Sequence, residues 1–195
     1  MGAVIPGSHE PPTSVDYIIR HAAPTLAGLK TGNLFPLAFQ DKAGFLKTLQ
    51  EANQVLVHRG LRLLPLRLEE DKALLYLFRT SSLSRDLAQE QAREILCRAG
   101  YGEPGCLPCL RELTRRLRNG DEFPHEIGLF LGYPPEDVQG FIRHRGRDAK
   151  ACGCWKVYGD KDAAQARFDA FKSCTTRYCR LREQGATLEH LTVES

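Results

Sequence analysis

Seven cysteines stand among 195 residues, and four of them are paired in ways that suit chemistry: Cys106-Leu-Pro-Cys109 and Cys152-Gly-Cys154. A CxxC at the start of a helix has its thiolates stabilised by the helix N-terminus, which is a redox arrangement. The same pair is half of a tetrahedral metal site. Cys106, Cys109, Cys152 and Cys154 together would supply four thiolates for zinc or an iron–sulfur cluster, although the 42 residues between the pairs exceed the usual zinc-ribbon spacing. Cys174 and Cys179 lie five residues apart, about 140° around a helix, so they do not clasp one ion. Cys174 and Cys97 read as packed core thiols. An odd number of cysteines in a chain this long points to reduced thiols in a cytoplasmic setting.

A second set of polar residues suits a small ligand. His125 and Glu126 are adjacent and could move a proton. Lys30, Arg79 and Lys156 could hold an anionic group, with Tyr158 beside them. The chain has no HExxH, because Leu129 stands where the second histidine would be, and it has no Walker loop, GxGxxG or GxSxG. Those absences remove support for the common nucleotide-binding, zincin and serine-hydrolase chemistries.

The elements that must position these residues follow from periodicity. Ser14 to Leu29 reads as a helix broken at Pro24. In 41–58, Phe45, Leu49, Ala52 and Leu56 fall on one helical face. Strands over 61–68 and 73–79 flank the charged turn Glu69-Glu70-Asp71-Lys72, and Pro65 places the first at a sheet edge. Helices follow over 86–99 and 107–118, the latter with the stripe Leu107, Leu110, Leu113 and Leu117. Two short helices over 124–131 and 135–145 precede a strand at 152–158, where alternation would put Cys152, Cys154, Lys156 and Tyr158 on one face. A long helix over 161–183 carries the stripe Phe168, Phe171, Cys174, Tyr178 and Leu181. The prediction is α+β: a mostly helical single domain over 14–195, with a β-hairpin and one further strand in a small sheet, after a flexible arm over 1–13.

The pair of helices at 124–145 has the spacing of a helix-turn-helix, with Gly132 at the turn and Arg143, His144, Arg145, Arg147 and Lys150 beyond. Against a DNA-binding regulator stand Glu136 and Asp137, which would face phosphate, and Gly140 in the reading helix. The 27 basic and 24 acidic residues are evenly mixed, with 12 and 11 over 1–110 and 15 and 13 over 111–195, so no basic tail steers the chain to nucleic acid. The longest apolar run, Ala73 to Phe78, has six residues, far below a membrane span. The first residues lack the basic and apolar regions of a secretory signal, and Pro6 stands where myristoylation needs Ser or Thr.

Three blocks carry a resemblance: HAAPTLAGLKTGNLF at 21–35, FPHEIGLFLGYPPEDVQGFI at 123–142 and CGCWKVYGD at 152–160. With Cys174-Thr175, Tyr178-Cys179 and Leu191-Thr192-Val193, they resemble the signature of the domain-of-unknown-function family 3793, found mainly in anaerobic Gram-positive bacteria. The resemblance spans roughly residues 15–193. That family has no established activity, so the resemblance implies no particular reaction. Its members often carry a cysteine just before the Ala-Pro-Thr; Ala22 stands there, beside His21, so a role for that cysteine would fall to His21 or lapse. The CLPC pair lies outside the signature. The expectation is a cytosolic protein that binds a small anionic ligand or a metal in anaerobic or redox metabolism, with a helix-turn-helix DNA-binding regulator and a cysteine-ligated zinc or iron–sulfur protein as alternatives.

Overall fold

The strand Lys72–Arg79 has the sequence KALLYLFR, apolar from its second residue to its seventh, and so must be covered on both faces. In a computed structural model, which describes residues 14–102, 105–120 and 123–194, it is the centre of a three-stranded antiparallel sheet. With elements numbered in chain order, this is β3; β1 (Gly32–Ala38) and β2 (Leu61–Leu68) pair on either side of it. Each edge strand carries a proline, Pro36 in β1 and Pro65 in β2, where the missing N–H breaks no ladder. Side chains alternate: Ala73, Leu75 and Leu77 enter one core, and Tyr76 and Phe78 the other. In β2, Leu61 and Leu63 enter one core and Leu66 the other, and a bulge between Pro65 and Arg67 shifts the alternation so that Leu68 packs on the side of Leu61 and Leu63. The free edge of β2 is partly closed by Asn53, whose amide donates to the Leu63 carbonyl (2.8 Å) and accepts from the Leu63 N–H (2.9 Å).

Helices cover both faces. On one lie α1 (Ser14–Leu26), α2 (Lys42–His58) and α8 (Lys161–Glu183); on the other lie α3 (Thr80–Ala88), α4 (Glu90–Arg98), α5 (Cys106–Asn119) and the single turn α6 (Ile127–Phe130). Helix α7 (Pro135–His144) packs beside α4 and α6, and against a small ribbon of β4 (Ala151–Cys152) and β5 (Lys156–Val157). This is the α+β architecture expected, and Pro65 does mark an edge strand. The arm predicted at 1–13 lies outside the described residues. Among the described residues, no helix is long and apolar enough to cross a membrane.

Several local expectations are corrected. The further strand of the main sheet is β1, at 32–38; the segment 152–158 turns back on itself as β4 and β5, so Cys152 and Cys154 do not share the face of one strand. Pro24 does not break α1. It sits within the last turn, and the carbonyl it leaves without a donor belongs to Arg20, on the exposed side. The helix predicted at 86–99 is two helices, separated where Gln89 turns extended (φ −60°, ψ 139°). Leu107 is 67% exposed, and Cys109 takes its place in the buried stripe of α5; Cys97 is exposed as well.

Arg79 closes β3 and joins three chain segments. It is 3% exposed, and its guanidinium donates to the carbonyls of Thr25, Leu26 and Val193, each at 2.7 Å. The first two lie at the C-terminus of α1, where a cation is favoured, and they also accept the backbone N–H groups of Gly28 and Val193. Arg79 is therefore a tie within the fold and not a ligand-holding residue. Replacing Arg79 with Met removes three hydrogen bonds from a buried charged donor, and urea unfolding is expected to register a loss of about 2–4 kcal/mol.

Candidate functional site

The turn that follows α1 presents Lys30 to a cleft roofed by aromatic rings. Leu29 and Lys30 both donate backbone N–H groups to the Pro24 carbonyl (2.9 and 3.1 Å), which ends α1 and fixes the turn. The side chain of Lys30 is half-buried, with its ammonium 5.3 Å from the centre of the Tyr133 ring and 6.0 Å from that of Phe171. Tyr133 is brought there by Gly132. That residue has φ +75°, and a Cβ on it would stand 2.6 Å from the Thr31 hydroxyl, so only glycine lets the α6–α7 turn close onto the turn before β1. Thr31 in turn donates its hydroxyl to Asp86 on α3.

The roof is completed by the Trp155 ribbon. Trp155 stacks on Tyr133 (4.8 Å between centroids) and meets Phe168 of α8 edge-on (4.5 Å). The ribbon is anchored by Asp137, which is 3% exposed. One carboxylate oxygen accepts from the Trp155 indole N–H, and the other from the backbone N–H groups of Tyr158 and Gly159, all at 2.7 Å. Gly140 allows the approach, since a Cβ on it would lie 2.4 Å from Cγ of Tyr158.

Lys30 stands between two cavities of about 450 Å³ each. The first has mixed charge, with Arg85 and Arg167 against Asp86 and Asp160. No aspartate or glutamate lines the second; His21, Asn33, Cys154, Lys172 and Thr175 do. The Asn33 carbonyl oxygen accepts from the Thr25 hydroxyl (2.7 Å), which leaves its amide N–H₂ for the cavity. Among the described residues, Lys30 makes no ion pair and no hydrogen bond through its ammonium. Burial lowers its pKa to about 8, with the nearby Cys154 opposing the shift. Burial and Arg20 lower that of His21.

The other sequence-predicted residues lie elsewhere. Glu126 is 6% exposed and accepts from the Tyr101 hydroxyl (3.0 Å) and from Arg116 (3.1 Å); burial and this carboxylate push the Tyr101 phenol well up. His125 is exposed with its ring against Phe141, so the two neighbours do not work as a bonded acid–base pair. Lys156 donates to the Gly146 carbonyl (2.5 Å), and Tyr158 donates to the Arg147 carbonyl (2.9 Å) while stacking on His144. Neither of the two cavities beside Lys30 is lined by His125 or Lys156. The residues that join Lys30 and were not singled out are Asn33, Tyr133, Trp155, Lys172 and Thr175. Four of them fall in the stretches that carry the family resemblance, and that was the available signal.

Among the described residues, no group of three or more His, Cys, Asp or Glu could hold a metal ion, so Cys106, Cys109, Cys152 and Cys154 are not gathered into a zinc or iron–sulfur site. Cys106 and Cys109 do stand at a helix N-terminus, but burial pushes both thiols up, against the activation expected there. In the helix pair, Asp137 does not face outward, and Gly140 lies against the ribbon. Glu136, Arg143, His144, Arg145, Arg147 and Lys150 are exposed.

A match to the family described as protein of unknown function (DUF3793) runs over residues 18–192. The chain belongs to that family. No curated protein and no solved structure matches it. All three resemblance blocks of this DUF3793 chain meet at the cleft: Lys30 and Asn33 from the first, Gly132 and Tyr133 from the second, Cys154 and Trp155 from the third.

The lowered pKa of Lys30 has a consequence for stability. The unfolded chain holds its proton up to an ordinary value near 10.5 and the folded chain only to about 8, so between these the unfolded state binds more protons and stability rises with pH. Lys30→Met is expected to be more stable than the wild type at pH 7, on the order of 1 kcal/mol, because no ammonium is withdrawn from water. Denaturant titrations should show that gain shrinking from pH 8 and gone near pH 10.

Proposed function

We propose that this protein binds a small anion in the cleft beside Lys30. The observation that carries the reading is a half-buried ammonium between two aromatic rings with no carboxylate or hydrogen-bond acceptor of its own among the described residues. A cation withdrawn from water without a partner is unfavourable, and an anion supplied from solution removes that penalty. The second cavity supports this reading. It offers the amide of Asn33 and the charge of Lys172, and it holds no acidic side chain that would repel the ligand. At about 450 Å³ the space suits a small molecule.

The cation must be protonated to do this, so affinity should fall as pH rises above the range set by Lys30. Thermal unfolding of the full chain with phosphate, acetate and glycolate, each tested up to saturation, checks the proposal. An anion at a hundredfold excess over its dissociation constant stabilises by about 2.7 kcal/mol. Such a shift in the wild type, lost in Lys30→Met and weakened at pH 9.5, is expected. Equal shifts in wild type and variant, or none with any of the three, would discard the cleft as an anion site.

A further inference from the structure

Lys30 has a feature that anion binding alone does not use: its nitrogen is a nucleophile held between two open spaces. The side chain crosses from one cavity to the other under Tyr133 and Phe171, and both of those rings also border both cavities. A lysine whose ammonium is paired with a carboxylate is locked as a cation. This one makes no ion pair and no hydrogen bond among the described residues. Desolvation by the rings favours its neutral form, which is the condition that makes a lysine reactive toward carbonyl carbon.

Resting on the anion reading, we propose that Lys30 forms an imine with small carbonyl acids, the carboxylate of the ligand lying toward Lys172 and Asn33 and its aldehyde or ketone carbon at Nζ. The neutral amine adds its lone pair to the carbonyl carbon, forming a C–N bond as the C=O π electrons move to oxygen. A proton passes from nitrogen to that oxygen, giving the carbinolamine. Protonation of the hydroxyl by solvent then lets it leave as water while nitrogen loses its remaining proton, and C=N forms. Amine and carbonyl go to imine and water with no change of oxidation state, so no oxidant or reductant takes part. Tyr133 and Phe171 cover the reacting nitrogen and limit water at the imine, and Asn33, fixed through Thr25, can donate to the carboxylate without a change of rotamer.

The test is reductive trapping on the full chain. The protein is incubated with glyoxylate and cyanoborohydride, and the lysines carrying a new carboxymethyl group are mapped by peptide mass spectrometry. Lys47 and Lys161, both exposed, serve as internal references. Lys30 is expected to label at least tenfold faster than either at pH 8. Its rate should level off above pH 8, whereas the reference sites continue to gain. Lys172→Gln should slow labelling of Lys30 by glyoxylate while leaving labelling by formaldehyde, which has no carboxylate, unchanged. Labelling of Lys30 no faster than that of Lys47 and Lys161 overturns the imine. If glycolate still raises the unfolding temperature through Lys30, that failure belongs to the covalent step alone. If phosphate, acetate and glycolate also fail to act through Lys30, the anion reading fails with it.

Discussion

Three carbonyl oxygens on one guanidinium organise this molecule. Arg79 ends the central strand, and the carbonyls it receives belong to the last turn of α1 and to the C-terminal tail. The strand thereby reaches segments more than fifty residues before it and more than a hundred after it. Its own backbone N–H also donates to the Thr31 carbonyl (2.9 Å), so the turn carrying Lys30 is held at both ends, by Pro24 on one side and by Arg79 on the other. A buried arginine is tolerated because the carbonyls at a helix C-terminus carry partial negative charge.

Asp137 does for the roof of the cleft what Arg79 does for its floor. Strands β4 and β5 have two residues each, too few to hold a ribbon by pairing alone. The carboxylate instead gathers three N–H donors from the ribbon and fixes it to α7. A carboxylate so bonded and so buried stands in for the missing ladder. Trp155 is held by its indole N–H at one edge and by Tyr133, Phe168 and Phe171 around its ring, so the wall over Lys30 has little freedom. Glu126, with Tyr101 and Arg116, repeats the pattern between α5 and the turn before α6.

The sequence made the long periodic elements legible and hid what depends on distant partners. Helix α8 and its stripe of Phe168, Phe171 and Cys174 follow from spacing alone, as do the buried residues of α2 and the edge position of Pro65. Strand β1 was not legible, because Gly32 and Pro36 argue locally against a strand and only pairing with β3 along its whole length overrides them. Lys30 reads in the sequence as a cation without a marked partner. Arg79 has the same chemistry in sequence, and nothing local says that its partners are the carbonyls of Thr25 and Val193. Asp137 was assigned to an outward face because a helix beginning at Pro135 exposes its first turn by default; the ribbon that covers it arrives from residues 155–159. Cys106 and Cys109 have the spacing of a redox pair, and only their packing against the core shows that burial outweighs the helix N-terminus.

The contrast among the charges is what singles out Lys30. Arg79, Glu126 and Asp137 are withdrawn from water, and each is met by two or three hydrogen-bond partners. A fold that satisfies three buried charges so completely has the means to satisfy a fourth. Lys30 has only ring faces against it, and a cation–π contact recovers about 0.5–2 kcal/mol, less than a carboxylate partner would in the same place. Its backbone is thus held by the Arg79 turn below and its surroundings by the Asp137 roof above, while its ammonium has no ion-pair or hydrogen-bond partner among the described residues. That division suits a residue whose partner comes from solution, because binding then requires no rearrangement of the protein and the ligand meets donors already in place.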